Sequence, residues 1–395
     1  MRKLVFCIAL ILCLVLIVPV AGGCSETEEN TFVKLLRFLP AKAKDNCIIT
    51  IIDYELFRKV NGISIYNEDG QRISREEYLE NLAAMSINGS LFGDSMFQFG
   101  SYWTCCGPYL HQAPIQDKYI GYDVIDVFAE INNIFTVSLD APAMYNIHPD
   151  IMVAAIGEFS TQSTEAALRN SDEWPDRLVN NYIIEDYNNI TIHSWGNSQE
   201  VSLTERFSPP HVDQIGRAMP LAVSDGHLFI SSSIEGIKSM IDASQNEVSS
   251  LADIPEYVRI VKSMHELGAI GVMIMDEAFI RDIFASPESY MGPQIKNYLT
   301  VGIGLGKDEK GEYMALALVY DAQVFAEESA VLLEQKAEAY NELCETIFKN
   351  KNAMIYDTEI RFEDEVLLAK LYNDYKGLWY WWFFDRWWLI FIEYA

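Results

Sequence analysis

Pro220–Ser244, PLAVSDGHLFISSSIEGIKSMIDAS, changes its apolar period partway along, and that change decides the fold class. Two alternating runs meet at Asp225-Gly226, a pair suited to a tight type I′ turn because both central residues need positive φ. After Ser233, whose hydroxyl is placed to cap a helix, Ile234, Ile237 and Ile241 recur on one helical face. A hairpin followed by a helix is the unit of an α+β fold with antiparallel sheets, rather than of an alternating parallel one.

The same grammar extends in both directions. Downstream, a helix is expected with Pro255 and Glu256 in its first turn, His265 in its last and Gly268 as terminator. In LTVGIGLG, Leu299, Val301, Ile303 and Leu305 alternate with Thr300, Gly302, Gly304 and Gly306, a strand buried on one face with its other face bare of side chains. These glycines follow a period of two into a KDEKG hairpin tip, which excludes a nucleotide loop. YMALALVY returns, and a long helix carries Ala326, Ala330, Leu333, Ala337, Tyr340, Cys344 and Ile347 as a stripe suited to packing on a sheet. The chain closes with EVLLAKLYNDYKGLWYWWFFDRWWLIFIEYA, which holds five of the eight tryptophans. Asp385 and Arg386 interrupt that run, so burial as terminal strands or a helix completing the core is favoured over an interfacial aromatic belt.

Upstream, NITIHSW, IMVAAIGEF and YIGYDVIDVFAEI read as strands, with helix expected over Thr164–Leu168 and Trp174–Val179. CIITII runs into Asp53, placed to cap a short helix carrying Leu56, Phe57 and Val60. SIYNEDGQRI reads as a hairpin with Asp69-Gly70 at its tip, and Ser74 and Glu77 as a capping box. IGVMIMDEAFIRDI repeats the pattern of TIIDYELFRKV, with Asp276 in the place of Asp53 and Arg281 in that of Arg58. The repeat suggests two related halves, 35–265 and 266–395, with helices expected on one face of the sheets.

Residues 88–118 break every period. This Gly-rich and aromatic stretch includes Phe92, Phe97, Phe99, Tyr102, Trp103, Tyr109 and His111. A connection this long in a compact domain is functional or disordered, and its aromatics oppose disorder. Trp103, Tyr109 and His111 are the candidate binding residues; the alternative is a flap over a sheet face.

The first 24 residues, MRKLVFCIALILCLVLIVPVAGGC, have a basic start, an apolar core from Leu4 to Val18, and small residues before Cys24. As a helix the core reaches about 22 Å, short of the roughly 30 Å hydrocarbon layer, which favours a cleaved signal over residues 1–23 to a span. Small residues directly before a cysteine resemble the lipobox of prokaryotic lipoproteins, with Ala21 where Leu is commoner; the resemblance implies lipidation of Cys24. Residues 24–34 would then form a short tether.

Acidic residues outnumber basic ones 57 to 29, for a net charge of −28. Such a charge opposes nucleic acid and any unaided approach to an anionic bilayer. With a lipid at Cys24, the expected location is the outer face of the cytoplasmic membrane or another envelope membrane. Outside the cell Cys47, Cys105, Cys106 and Cys344 can form two disulfides in three pairings or remain thiols. Cys105-Cys106 with His111 is the one constellation suggesting a soft metal, but adjacent cysteines with a distant histidine match no zinc spacing. His265-Glu266 lacks the second histidine of a metalloprotease helix, and GxSxG, P-loop and CxxC motifs are missing from the sequence.

In its strand–helix–hairpin–helix order, with SDGHLFISSSIEGIKSMID and SLADIPEYVRIV as the most telling runs, the chain resembles exported prokaryotic lipoproteins of a family of unassigned function. The resemblance covers most of residues 35–345, rests on structural motifs and transfers no catalytic residue. The expected role is a non-enzymatic binding or scaffold protein without cofactor or metal, anchored in a membrane and engaging a protein or small-molecule ligand. A transporter's solute-binding lipoprotein is the alternative, and a thiol- or metal-dependent envelope enzyme the third.

Overall fold

The structure, a computed structural model, describes residues 30–44, 47–74, 77–78, 80–81, 125–132, 151–162, 182–195, 219–278, 280, 295–346, 349 and 354–373. Its strands are β1 (Ile48–Asp53), β2 (Ile125–Asn132), β3 (Ile151–Gly157), β4 (Tyr182–Tyr187), β5 (Ile190–Trp195), β6 (Leu221–Ser224), β7 (His227–Ser231), β8 (Ala269–Asp276), β9 (Tyr298–Asp308), β10 (Gly311–Tyr320), β11 (Ile355–Glu363) and β12 (Val366–Asn373). They form one 12-stranded sheet in the order β11-β12-β10-β9-β8-β1-β2-β3-β7-β6-β5-β4. Every neighbouring pair is antiparallel.

The local signals act where the sequence places them. Ser224 pairs with His227 across Asp225-Gly226, but of the two only Gly226, at +80°, has positive φ, so the hairpin forms as expected without the type I′ turn that needs both. Ser233 accepts the Gly236 amide at 3.0 Å and starts α3 (Ile234–Ser244). Pro255 opens α4 (Pro255–Glu266), and Gly268 ends its exit at φ +72°. α1 (Thr31–Leu36) is capped by Asn30, and its Phe32 and Val33 are already buried, so the folded body begins inside the expected tether of residues 24–34.

The expectation of helices on one face is corrected by the two core layers. α1, α3 and α4 pack with Ile49, Ile51, Val272, Ile274, Ala315 and Ala317 on one side. α2 (Tyr54–Val60) and α5 (Gln323–Thr346) pack with Ile48, Ile52, Met273, Met275, Leu316 and Leu318 on the other. Central strands with both faces covered become continuous apolar runs, as IITII and MALALV are.

The glycines of β9 lie on the α4 side, and there the helix comes close. A Cβ on Gly302 would sit 2.9 Å from Met264 Cγ, and one on Gly304 would sit 2.6 Å from the Gly271 carbonyl. The face bare of side chains is therefore the seat of a helix. Leu299 departs from its expected burial and is 44% exposed, whereas Thr300 is fully buried. Tyr298 pairs with Tyr320 and Thr300 with Val319, so Leu299 is the extra residue of a β-bulge and turns out to solvent. Two strands escaped the sequence reading, both at sheet edges: β4, joined to β5 through Asn188-Asn189, and β11, joined to β12 through Asp364-Glu365. The helices expected over 164–168 and 174–179 lie outside the described residues.

Candidate functional site

A group of interacting charged side chains built on a buried guanidinium sits where β1 leaves the sheet and β2 enters it. Asp53 caps α2, its Oδ1 accepting the Leu56 amide at 2.6 Å. From there α2 sends Tyr54 and Phe57 into the core and carries Arg58, 4% exposed, to the start of β2. Arg58 Nη1 donates to the Ile125 carbonyl and Nη2 to Asp126 Oδ1, each at 2.9 Å. Since Asp53 pairs with Val127 in the ladder, these contacts join the two ends of the connection 54–124. Beside them, at the end of β3, Glu158 accepts Tyr66 Oη at 2.8 Å and forms an ion pair with Arg72, both from the hairpin whose turn holds Gly70 at φ +73°.

The electrostatics follow from placing carboxyl groups at a partly buried junction. Burial is the main cause that pushes Asp53 up to about 6; the Leu56 amide opposes it, Glu55 adds to it, Arg58 opposes it and Asp126 adds to it. Asp126 is also raised, by burial first, with Arg58 opposing. Tyr66 is raised chiefly by its hydrogen bond to Glu158. Chemically the arrangement is a clamp: a guanidinium holding a backbone carbonyl and a carboxylate at the point where a long connection rejoins the sheet.

Of the residues selected from sequence, Cys24, Trp103, Cys105, Cys106, Tyr109 and His111 lie outside the described residues. Cys47 and Cys344 are both buried, in the two opposite core layers, and so are not joined to each other. Burial pushes the Cys344 thiol up. His193 is a buried histidine whose Nδ1 lies 2.7 Å from Tyr182 Oη, and His265 meets the Phe32 ring edge-on at 5.4 Å. Among the described residues, no group of three or more His, Cys, Asp or Glu side chains is placed to hold a metal ion, and no helix is long and apolar enough to cross a membrane. Sequence reasoning noted Arg58 only as part of the repeat and missed Asp126, Glu158, Tyr66 and Arg72. Arg58 and Asp126 are 68 residues apart, and only strand pairing brings them together.

No family model matches the chain, and no curated protein matches it. Among solved structures it is similar to crystal forms of TP0453, a Treponema protein. Form III gives a TM-score of 0.33 at 10% identity, covering 86% of this chain and 92% of that one. Form I gives 0.34 at 9%, covering 86% and 91%. Likeness of this degree says nothing about function.

Proposed function

We propose that the chain is a lipid-tethered envelope protein that binds a protein or small-molecule partner through residues 88–118 and performs no chemistry of its own. The observation that carries this reading is the unequal length of two equivalent connections. From the central pair β1–β8, the flanks run β1-β2-β3-β7-β6 and β8-β9-β10-β12-β11, with strands in the same chain order on each side. Both flanks end in a hairpin with a two-residue turn, Asp225-Gly226 and Asp364-Glu365, although positive φ falls on the second residue of the first turn and the first residue of the other. Phe57 and Ile280, each four residues past the repeated aspartate, are buried in the same core layer. On this reading the flanks are two copies of one five-strand unit, related by an axis near the Thr50–Met273 pair, with β4–β5 added to the first.

The second copy passes from β8 to β9 through residues 277–297, 21 in number, whereas the first passes from β1 to β2 through residues 54–124, 71 in number. The fold makes this step without the additional length. Surplus chain that carries Trp103, two tyrosines and three phenylalanines between residues 88 and 118 is what a recognition surface requires. Ladder pairs running from Ile125 through Asp53, Gly271, Gly306 and Tyr313 to Tyr372 put the start of β2 and the end of β12 at one end of the sheet. Residues 88–118 and the tryptophan-rich segment 374–395 therefore connect to the sheet at the same end. The charge of −28 disfavours nucleic acid as the partner and makes a lipid on Cys24 the means of holding the body at a membrane.

A photo-crosslinking residue at Trp103 or Tyr109, in cells of the native host, is expected to give a discrete adduct that the same residue at Val331 does not. Val331 is 55% exposed on α5 and serves as the surface control. Equal labelling at all three positions, or none at Trp103 and Tyr109, contradicts the assignment.

A further inference from the structure

We propose that Asn189, at the tip of the β4–β5 hairpin, is an acceptor for an N-linked oligosaccharide. The site rests on the export assigned above, because the transfer takes place on the outer side of a membrane. The chain contains two Asn-x-Ser/Thr tripeptides whose middle residue is not proline, Asn88-Gly89-Ser90 and Asn189-Ile190-Thr191. The first lies outside the described residues; the second stands in an exposed turn, the setting that acceptor chemistry needs.

Tyr187 pairs with Ile190, so Asn188 and Asn189 form a two-residue hairpin turn, with positive φ of 49° and 63°. The two asparagines are used differently. Asn188 Nδ2 donates to Asp242 Oδ1 at 3.3 Å and to Glu247 Oε2 at 3.2 Å, and the Asn188 carbonyl accepts Gln245 Nε2 at 3.1 Å. Tyr187 Oη donates to Asp242 Oδ2 at 3.2 Å, and Lys238 pairs with Glu185 at 2.6 Å. These contacts fasten the hairpin to α3 and the residues just after it. Asn189 is exposed, and its side-chain amide makes no hydrogen bond among the described residues. A substituent on Asn189 Nδ2 therefore displaces no contact, whereas one on Asn188 would break the bonds to Asp242 and Glu247. In the folded hairpin Thr191 Oγ1 donates to Asp186 Oδ1 at 3.2 Å, so the tripeptide is fully available to a transferase before β4 and β5 pair.

The donor class is an oligosaccharide carried on a polyprenyl phosphate or diphosphate. Asn189 Nδ2 attacks the anomeric carbon of the first sugar. The carbon–nitrogen bond forms as the bond from that carbon to the carrier's phosphate oxygen breaks. The electron pair leaves with the phosphate, and Nδ2 gives up one of its two protons. Nothing is oxidised or reduced, and the product is a bulky, hydrated group at the outermost hairpin of the sheet.

The test is peptide mapping by tandem mass spectrometry of the full chain purified from cells of the native host. The peptide that contains Asn189 is expected to carry an oligosaccharide mass on that residue. Thr191→Ala, which leaves Asn189 in place, is expected to lose the mass, and Thr191→Ser and Asn88→Gln to keep it. An unmodified Asn189 in the wild-type chain overturns the proposal whatever the state of Cys24, as does a mass on Asn189 that persists in Thr191→Ala. The wild-type measurement decides the matter even where a variant does not fold. The same spectra read the N-terminal peptide: a modified Asn189 on a chain without lipid at Cys24 contradicts the tether and leaves the acceptor site standing, so the two failures are told apart.

Discussion

Gly304→Val is expected to destabilise the protein by about 3 kcal/mol, lowering the melting temperature by roughly 6–12 °C. The added Cβ lies 2.6 Å from the Gly271 carbonyl oxygen, 2.7 Å from Met264 Cε and 3.1 Å from Ala269 Cβ. Met264 can rotate aside, but Gly271 belongs to the neighbouring ladder, where Val272 pairs with Gly304 itself, and moving its carbonyl distorts β8 against β9. The branched methyls of valine add further crowding where α4 meets the sheet. Gly302→Ala is the internal control: its Cβ meets Met264 Cγ at 2.9 Å and Ile260 Cγ1 at 3.0 Å, side-chain atoms that yield at lower cost. Thermal unfolding followed by circular dichroism measures both. Similar losses for the two variants would mean that side-chain crowding, and not the carbonyl of β8, limits how closely α4 approaches.

Leu333→Ala tests the opposite layer and is expected to cost about 2–5 kcal/mol, the range for removing a buried leucine side chain whose cavity cannot fully collapse. Leu333 is 0% exposed on the inner stripe of α5, within the core layer that includes Leu316, Leu318, Leu367 and Leu371. Val331→Ala on the outer face of the same helix changes stability by no more than about 0.5 kcal/mol, because that side chain is already largely solvated. Denaturant titration gives both numbers. A large loss at Leu333 beside a negligible one at Val331 is the signature of a helix seated on the second face of the sheet.

What the sequence discloses and what it conceals separate along the range of the interactions. Asp53, Ser233, Pro255, Gly226 and Gly268 work within a few residues of themselves, through a capping oxygen, a fixed φ or a permitted positive φ, and each is found doing so. The helices on the second face depended on reading AIGVMIM and MALALVY as strands buried from both sides. Their apolar runs carry that signal, but length alone does not tell such a strand from a buried helix. Leu299 was beyond reach, since its exposure depends on the bulge in its pairing with β10. β4 and β11 are edge strands with mixed polar and apolar residues, and the turn pairs Asn188-Asn189 and Asp364-Glu365 were the available clues. The clamp was the least legible, because Asp126 acquires Arg58 only after β1 and β2 are in register. Asp53 and Asp276 end β1 and β8, which are antiparallel neighbours in the middle of the sheet.

A binding role for residues 88–118 requires that they be surplus to the fold, so that their removal leaves its stability intact. The full chain and a variant in which residues 88–118 are replaced by a short Gly-Ser linker are compared by thermal unfolding at one pH. Because loop length contributes only weakly to stability, the account predicts melting temperatures within about 2 °C of each other. A fall of about 10 °C or more would show that these aromatics complete the core, and would contradict their assignment as a binding surface.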